Sequence, residues 1–274
     1  MKVYVTSTRL IVEFDGQARA LSKSFTIDDL FVEHEPEKRL KAELRRSTKI
    51  QAMPKSLAPL RSQEVWAAGV TYLRTRAARI ADSKESGGSS FYDRIYRADR
   101  PELFFKATPH RVVATGDSVR IRRDSQWTVP EPELTLAINA HGRVFGYTIG
   151  NDVSSRDIEA ANPLYLPQSK IYQGSASLGP CLWVTSKPLD PSAQILMDIR
   201  RRKKVVFSGQ TSVDQIKRTF SELSQFLYRD NVFPFGCYLM TGTGIVPPDN
   251  FSLKSGDEIF ITIPPIGTLV NGVS

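Results

Sequence analysis

Histidine and cysteine are scarce, with three and two residues in a chain of 274. Two thiols, Cys181 and Cys237, cannot build a disulfide framework, and each sits among apolar neighbours, so both are expected to be buried and free. No zinc-finger or helix-turn-helix spacing is present. No apolar run reaches the roughly 18 residues of a membrane span, and the opening MKVYVTSTRL is too polar for a signal peptide. The expectation is a cytoplasmic protein with no membrane partner. Acidic residues are outnumbered, 29 against 37 basic ones, which leaves a net charge of +8. The densest basic run, Arg200 to Lys204, lies between two strand-like segments with no aromatic platform interleaved, so it reads as an exposed hairpin turn. An anionic small substrate is favoured over nucleic acid as the partner.

What is present is an ordinary globular composition, 41% hydrophobic and 24% charged, in a length that suits one large domain with a small appendage. Residues 1–60 read as that appendage, a small N-terminal subdomain. Met1 to Leu21 alternates weakly as one or two strands. The charged run from Glu33 to Lys49 turns helical after Pro36, with Leu40 and Leu44 as its apolar stripe. His34, flanked by glutamates, is expected at the surface. Residues 61–274 form the main domain.

The chain is organised around Val129 to Asp157. Leu134, Leu136 and Ile138 alternate along a first strand and Phe145, Tyr147 and Ile149 along a second, the period of half-buried strands. With His141-Gly142 as a two-residue turn, Leu134 pairs with Ile149, Leu136 with Tyr147 and Ile138 with Phe145. A slip of one residue would break every match. On the opposite face Thr135 meets Thr148, Ala137 meets Gly146, Glu133 meets Gly150, and Glu131 falls opposite Asp152. Three carboxylates thus collect at the open end of the hairpin, at a cross-strand spacing of roughly 5 Å where like charges repel. Water, a basic side chain or a cation must compensate. With no His or Cys at that end, oxygen ligation suits a hard ion, Mg²⁺ first, then Mn²⁺ or Ca²⁺. Pro132 has no N–H, so this strand end is expected to be unpaired on one side.

Around this hairpin, Val65 to Val70 reads as a buried strand opening into a helix at Thr71 to Arg76. Asp82 to Ser90, with its G-G-S-S, is a mobile lid or a loose loop. Glu102, Phe104 and Lys106 share a strand face, so Glu102 and Lys106 are either a surface ion pair or a catalytic couple. Ser154 or Ser155 would cap a helix that turns Arg156 toward the acidic cluster. Asn162 to Lys170 is a proline-punctuated loop, Ser175 to Val184 a buried strand, and residues 194–209 the basic hairpin. Ser212 to Leu227 carries apolar residues at helical spacing. Pro234-Phe235-Gly236 is a turn, Thr241 to Gly244 offers bare N–H groups that could cradle a carboxylate, and a last hairpin turns at Ser255-Gly256-Asp257.

In order, G-V-T-Y at 69–72, F-F-K at 104–106, E-P-E-L at 131–134, N-D-V-S-S-R-D at 151–157, Lys170 before a strand, L-G-P at 178–180 and T-G-T at 241–243 resemble the fumarylacetoacetate hydrolase superfamily over about residues 65–270. The resemblance implies an α+β, mainly β fold: a mixed β-sandwich roll with a small N-terminal subdomain, associating as a homodimer or tetramer. It implies that Glu131, Glu133 and Asp152 hold a divalent metal, normally Mg²⁺, and that Arg156 and Lys170 flank a substrate oxygen. It further implies that Thr243 contacts the substrate carboxylate, with Tyr72 and Lys106 also on the substrate side.

One departure separates branches of this superfamily. Its hydrolases and decarboxylases carry a water-activating His soon after G-x-x-Y, and T-Y-L-R-T-R-A-A-R has none. The stretches around Glu102, Glu131, Lys170 and Thr243 instead resemble the 2-keto-3-deoxy-arabonate dehydratases, which yield 2,5-dioxopentanoate. On that resemblance Glu102 and Lys170 are the acid–base pair acting on a 2-keto acid. The rival readings are a fumarylacetoacetase-like hydrolase or decarboxylase of a β-diketo acid, separable by its second product. A catalytically silent member is a third, and a polyanion-binding protein of the +8 chain, separable by a salt-dependent gel shift, a fourth.

Overall fold

The computed structural model of the chain describes residues 1–73 and 95–274. The expected helix beyond Leu73 and the Gly-Ser stretch of Asp82 to Ser90 lie outside the described residues.

In chain order the described strands are β1 (Lys2–Val5), β2 (Leu10–Phe14), β3 (Gln17–Ala20), β4 (Thr48–Lys49), β5 (Glu64–Gly69), β6 (Glu102–Ala107), β7 (Val112–Val113), β8 (Ser118–Val119) and β9 (Thr128–Val129). They continue with β10 (Pro132–Ile138), β11 (Val144–Asp152), β12 (Ser154–Ser155), β13 (Ala176–Val184), β14 (Gln194–Arg201), β15 (Lys204–Ser212), β16 (Cys237–Met240), β17 (Glu258–Ile263) and β18 (Gly267–Val273). One large sheet runs β4-β3-β2-β1-β13-β11-β10-β16-β5-β6, with β7 beside β13, and a second runs β15-β14-β17-β18-β8. The two sheets face each other across one core. Leu134, Leu136 and Ile149 of the large sheet and Ile195, Ile199, Ile259, Ile261 and Leu269 of the smaller one are buried there together. Burying each such side chain stabilises by about 1.5–3 kcal/mol.

The far face of the large sheet is covered by the N-terminal segment. Phe31 meets Phe145 edge-on at 4.9 Å and Tyr238 at 5.1 Å, and Leu30, Leu40 and Leu44 join them in a second core. Met1 to Leu21 forms three strands rather than one or two, and β1 pairs with both β2 and β13, extending the sheet. The helix Pro36–Leu44 is as expected, with Pro36 at its first turn and Leu40 and Leu44 buried. His34 is exposed and stacks on His141 at 3.5 Å. Cys181 and Cys237 are free and buried, and burial pushes both thiols up to about 12.

Glu37 ties this helix to the sheet: it accepts from the Ser186 backbone N–H at 2.6 Å and pairs with Lys41 at 2.7 Å. These contacts, Lys41 first, hold its carboxyl down to about 2 from an ordinary 4.5. A depressed carboxyl contributes stability above its unfolded value and loses it as pH falls through the folded one. Glu37→Gln is therefore expected to cost about 1 kcal/mol at neutral pH. In urea titrations the gap from the parent should narrow as the pH falls from 4.5 toward 2, the span between the unfolded and folded values. A gap that persists there would contradict this linkage.

The central hairpin keeps the expected register from Pro132 opposite Asn151 through Ala137 opposite Gly146. It then shifts: Ile138 faces Val144, so Ile138 does not pair with Phe145 as expected. A bulge of this kind transfers the following side chains to the other face, and Phe145 lies in the second core while Tyr147 and Ile149 lie in the first. The cause is a loop wider than a two-residue turn. Asn139 Oδ1 accepts from His141 N and Arg143 N, and Gly142 takes a φ of +74°.

Three other segments differ from expectation. Asn162 to Lys170 is not a loop but a 3-10 turn (Pro163–Tyr165) followed by a helix (Leu166–Lys170). Its prolines fall in first turns, where the missing N–H costs nothing, and Asn162 accepts from Leu164 N at 2.9 Å. The helix expected from Ser212 begins only at Phe220, capped by Thr219. Before it, Lys217 N donates to Thr71 O and Ile216 bridges to Tyr72, which holds that backbone extended. The last hairpin turns at Pro264 to Ile266, whereas Ser255-Gly256-Asp257 is a turn leading into β17.

Candidate active site

The ends of several strands meet at one edge of the large sheet. β5 and β16 are parallel, and their C-terminal ends adjoin the N-terminal ends of β6 and β10 and the C-terminal end of β11. Residues at those strand ends, Gly69, Val70, Glu102, Phe104, Glu131, Glu133, Asp152, Gly242 and Thr243 among them, line a pocket together with Glu159, Leu166 and Lys170 from the two short helices Arg156–Ala161 and Leu166–Lys170.

The carboxylates come from the hairpin as its register requires. Asp152 N donates to Glu131 O at 2.9 Å, extending the ladder to place Glu131 opposite Asp152. Pairing of β10 with β16 ends at Leu134, whose carbonyl accepts from Thr241 N, so the Pro132 end is unpaired on that side as expected. Glu131, Glu133 and Asp152 are buried and offer oxygens within 4.8 Å of one another. Glu133 Oε2 accepts from Gly242 N at 2.6 Å. That approach needs glycine: φ is +90°, and a Cβ would lie 2.0 Å from Thr71 Oγ1. Burial first, then the charges of Asp152 and Glu131, push the Glu133 carboxyl well above its ordinary value.

Two ammonium groups answer this charge. Lys170 Nζ lies 2.6 Å from Glu131 Oε2 and 3.1 Å from Asp152 Oδ2. Lys106 Nζ lies 2.5 Å from Asp152 Oδ1 and donates to the carbonyls of Val153 and Lys170. Burial pulls Lys106 below the ordinary lysine value, against the pull of Asp152. Lys106 therefore pairs with Asp152 and not with Glu102: the β5–β6 register shifts at Lys106, the extra residue between Phe105 and Ala107, while Glu102 and Phe104 line the cavity. Arg156 meets Glu131 at 3.8 Å from the helix Arg156–Ala161 and stands 5.7 Å from the Trp127 ring. Neither Lys106 nor Arg156 is part of the cavity lining. Ser155 occupies the N-cap position without a side-chain cap bond, and Ser154 instead donates to Glu159 at 2.8 Å.

Above the carboxylates the chain makes close approaches. Gly69 leaves room for Glu102, whose Oε2 would lie 2.2 Å from a Cβ there. Val70 takes a φ of +49°, a left-handed conformation that costs a β-branched residue about 1–3 kcal/mol. It is held there because Thr71 Oγ1 donates to Thr241 O at 2.7 Å and Thr71 O accepts from Lys217 N. Tyr72 is buried with its ring against Gly244, and its hydroxyl has no hydrogen-bond partner among the described residues.

The set suits a hard divalent cation. Its donors are all carboxylate oxygens, and the Lys170 ammonium already lies where positive charge is required, between Glu131 and Asp152. The N–H groups expected at Thr241 to Gly244 to cradle a carboxylate do so at Gly242, although the carboxylate is the chain's own Glu133, and reading the sequence missed Glu159 as a further buried acid of the cavity. The signal for Glu159 is its place three residues after Arg156, one turn on in the same helix.

The family model described as "Fumarylacetoacetate (FAA) hydrolase C-terminal" matches residues 81–274. The chain is 45% identical over 217 residues to the probable 2-keto-3-deoxyxylonate dehydratase of Haloferax volcanii, covering 79% of this chain and 74% of that protein. It is 44% identical over 220 residues to the 2-dehydro-3-deoxy-D-arabinonate dehydratase of Saccharolobus solfataricus, covering 78% and 73%. A solved structure of 2-keto-3-deoxy-D-arabinonate dehydratase complexed with magnesium and 2,5-dioxopentanoate superimposes with a TM-score of 0.85 at 34% identity, covering 100% of this chain and 99% of that one. The α+β, mainly β sandwich roll is therefore the fold of these dehydratases. With the acidic strand ends in the places the family's motifs require, the chain belongs to the fumarylacetoacetate hydrolase family.

Proposed function

We propose that this protein is a metal-dependent hydro-lyase that converts a 2-keto-3-deoxy pentonate to 2,5-dioxopentanoate, using Mg²⁺ with Mn²⁺ or Ca²⁺ as substitutes. The observation that carries the reading is one buried cavity holding three clustered carboxylates together with Glu102 and Lys170. The names of the two relatives support the substrate class. Within one D or L series they describe a single compound, because xylonate and arabinonate differ only at C2 and C3, and those centres become a ketone and a methylene.

Glu131, Glu133 and Asp152 would hold the ion, which supplies Lewis-acid polarisation of the 2-keto group and carboxylate. Thr243 and Tyr72 are assigned to the substrate. Lys106 and Arg156 were expected there too, but their contacts with Asp152 and Glu131 favour a role in fixing those carboxylates. Of Glu102 and Lys170, one removes a C3 proton and the other protonates the C4 oxygen, which leaves as water. The C3=C4 double bond then shifts to C4=C5 as a C5 proton is lost and C3 regains one, and the resulting enol tautomerises, its O–H proton leaving as C4 gains one, to give the C5 aldehyde. No oxidant is consumed and all five carbons stay together.

The testing experiment couples 2-keto-3-deoxy-arabonate and Mg²⁺ to a semialdehyde dehydrogenase. Aldehyde with all carbons retained supports the reading, and a second carbon fragment or CO₂ favours the hydrolase or decarboxylase. Affinity for Mg²⁺ should rise with pH, because burial and the neighbouring charges of Asp152 and Glu131 raise the Glu133 carboxyl above its ordinary value, and metal binding to a carboxylate competes with its proton. Calorimetric titrations at about pH 6 and about pH 8 should differ by up to about tenfold per pH unit. Equal affinities would show that Glu133 is already ionised at about pH 6 and would contradict the raised carboxyl. No helix among the described residues is long and apolar enough to cross a membrane. A cytoplasmic homodimer or tetramer acting on a small molecule, without nucleic acid, completes the proposal. So does the division at residue 60 into a small N-terminal subdomain and a catalytic domain, which limited proteolysis would test.

A further inference from the structure

Five carboxylates line the cavity, and two of them, Glu102 and Glu159, stand outside the cluster whose oxygens lie within 4.8 Å of one another. Glu102 is taken up by the proposed proton transfers. Glu159 has no part in them, yet it is only 3% exposed and reaches the cavity from the helix Arg156–Ala161. Ser154 Oγ donates to its Oε2 at 2.8 Å, which fixes the carboxylate's direction. A carboxylate can accept about four hydrogen bonds at once, so an oriented Glu159 can receive a substrate hydroxyl alongside its protein partners. Leu166 lines the same cavity and offers an apolar surface to a carbon chain.

The substrate's chemistry is polarised in the same way. Its C1 carboxylate and C2 ketone only accept hydrogen bonds and belong with a cation and N–H groups. Its C4 and C5 hydroxyls donate and need acceptors. We propose that Glu159 accepts the hydrogen bond of the terminal C5 hydroxyl and thereby makes the enzyme selective for a chain hydroxylated at that end. The inference deepens the dehydratase reading and rests on it. A site built to bind a hydroxyl discriminates strongly against the analogue that lacks it, because its buried acceptor is then left unmatched.

The test compares the wild-type, Glu159→Ala and Glu159→Gln enzymes, each with Mg²⁺, on two constants. One is KM for 2-keto-3-deoxy-arabonate. The other is the inhibition constant of 4-hydroxy-2-oxopentanoate, which lacks only the C5 hydroxyl. Glu159→Ala is expected to raise KM at least about tenfold, with kcat changed less than about threefold and the inhibition constant within about twofold. Glu159→Gln, which keeps an acceptor but loses the charge, should raise KM at least about threefold with the inhibition constant again unmoved. Unchanged KM, or KM and inhibition constant rising together, would overturn the assignment, the second pattern marking a purely structural role. If Glu159→Ala does not fold, the glutamine variant decides on the same constants. A wild-type enzyme that forms no aldehyde sinks the dehydratase reading itself, whereas a parallel rise in an active background sinks only the role of Glu159.

Discussion

Glu131→Gln is expected to abolish Mg²⁺ binding and lower kcat/KM at least about 1,000-fold, equivalent to about 4 kcal/mol of transition-state stabilisation. Glu131 meets Lys170 at 2.6 Å and Arg156 at 3.8 Å and shares the 4.8 Å cluster with Glu133 and Asp152. The amide keeps the shape but loses the charge, so one of three anionic ligands is gone. The fold should survive, because Asp152 still pairs with the ammonium groups of both Lys106 and Lys170 and Glu133 still accepts from Gly242 N. Metal content by mass spectrometry, aldehyde formation and a thermal melt together check this. A variant that melts like the parent and still turns over would argue against the assigned centre.

Lys106→Met should instead act on stability. The Lys106 ammonium is wholly buried and spends its three protons on Asp152, Val153 O and Lys170 O. A thioether fills the space but leaves a buried carboxylate short of a counter-charge and two carbonyls short of a donor. Removing one partner of a buried pair costs about 3–5 kcal/mol, a fall in Tm of about 10 °C for a chain of this size. Added Mg²⁺ should recover part of that loss by returning positive charge to the cluster. A Tm unchanged without the ion would show that Lys106 contributes nothing to the interior's electrostatic balance.

How far the chain could be read in advance follows from the range of the forces involved. The hairpin register was legible because an alternating apolar face tolerates no slip, and the acidic trio followed from it. The bulge at Ile138 was not, since it arises from Asn139 capturing two backbone N–H groups, a geometry that spacing does not encode. The partner of Lys106 was misplaced for a similar reason. Strand periodicity puts Glu102, Phe104 and Lys106 on one face, but only the packing of β6 against the site brings Asp152 to Lys106. The short helix ending at Lys170 hid behind its prolines, whose usual meaning reverses in a first turn. The motif matches implied a ligand set and an acid–base pair, but they gave no weight to Glu159, whose interest lies in a cavity visible only once the fold is built.

The paired lysines have a bearing on how the protein acquires its ion. In a zinc finger the binding free energy of the metal is what drives folding, so the chain without its ion is unfolded. Here Lys106 and Lys170 neutralise most of the trio from within, so the chain can mature first and be metallated afterwards. Loading would then be a reversible exchange on a folded scaffold whose positive charge between Glu131 and Asp152 is already supplied by Lys170, and occupancy would follow the free-ion concentration of the surroundings.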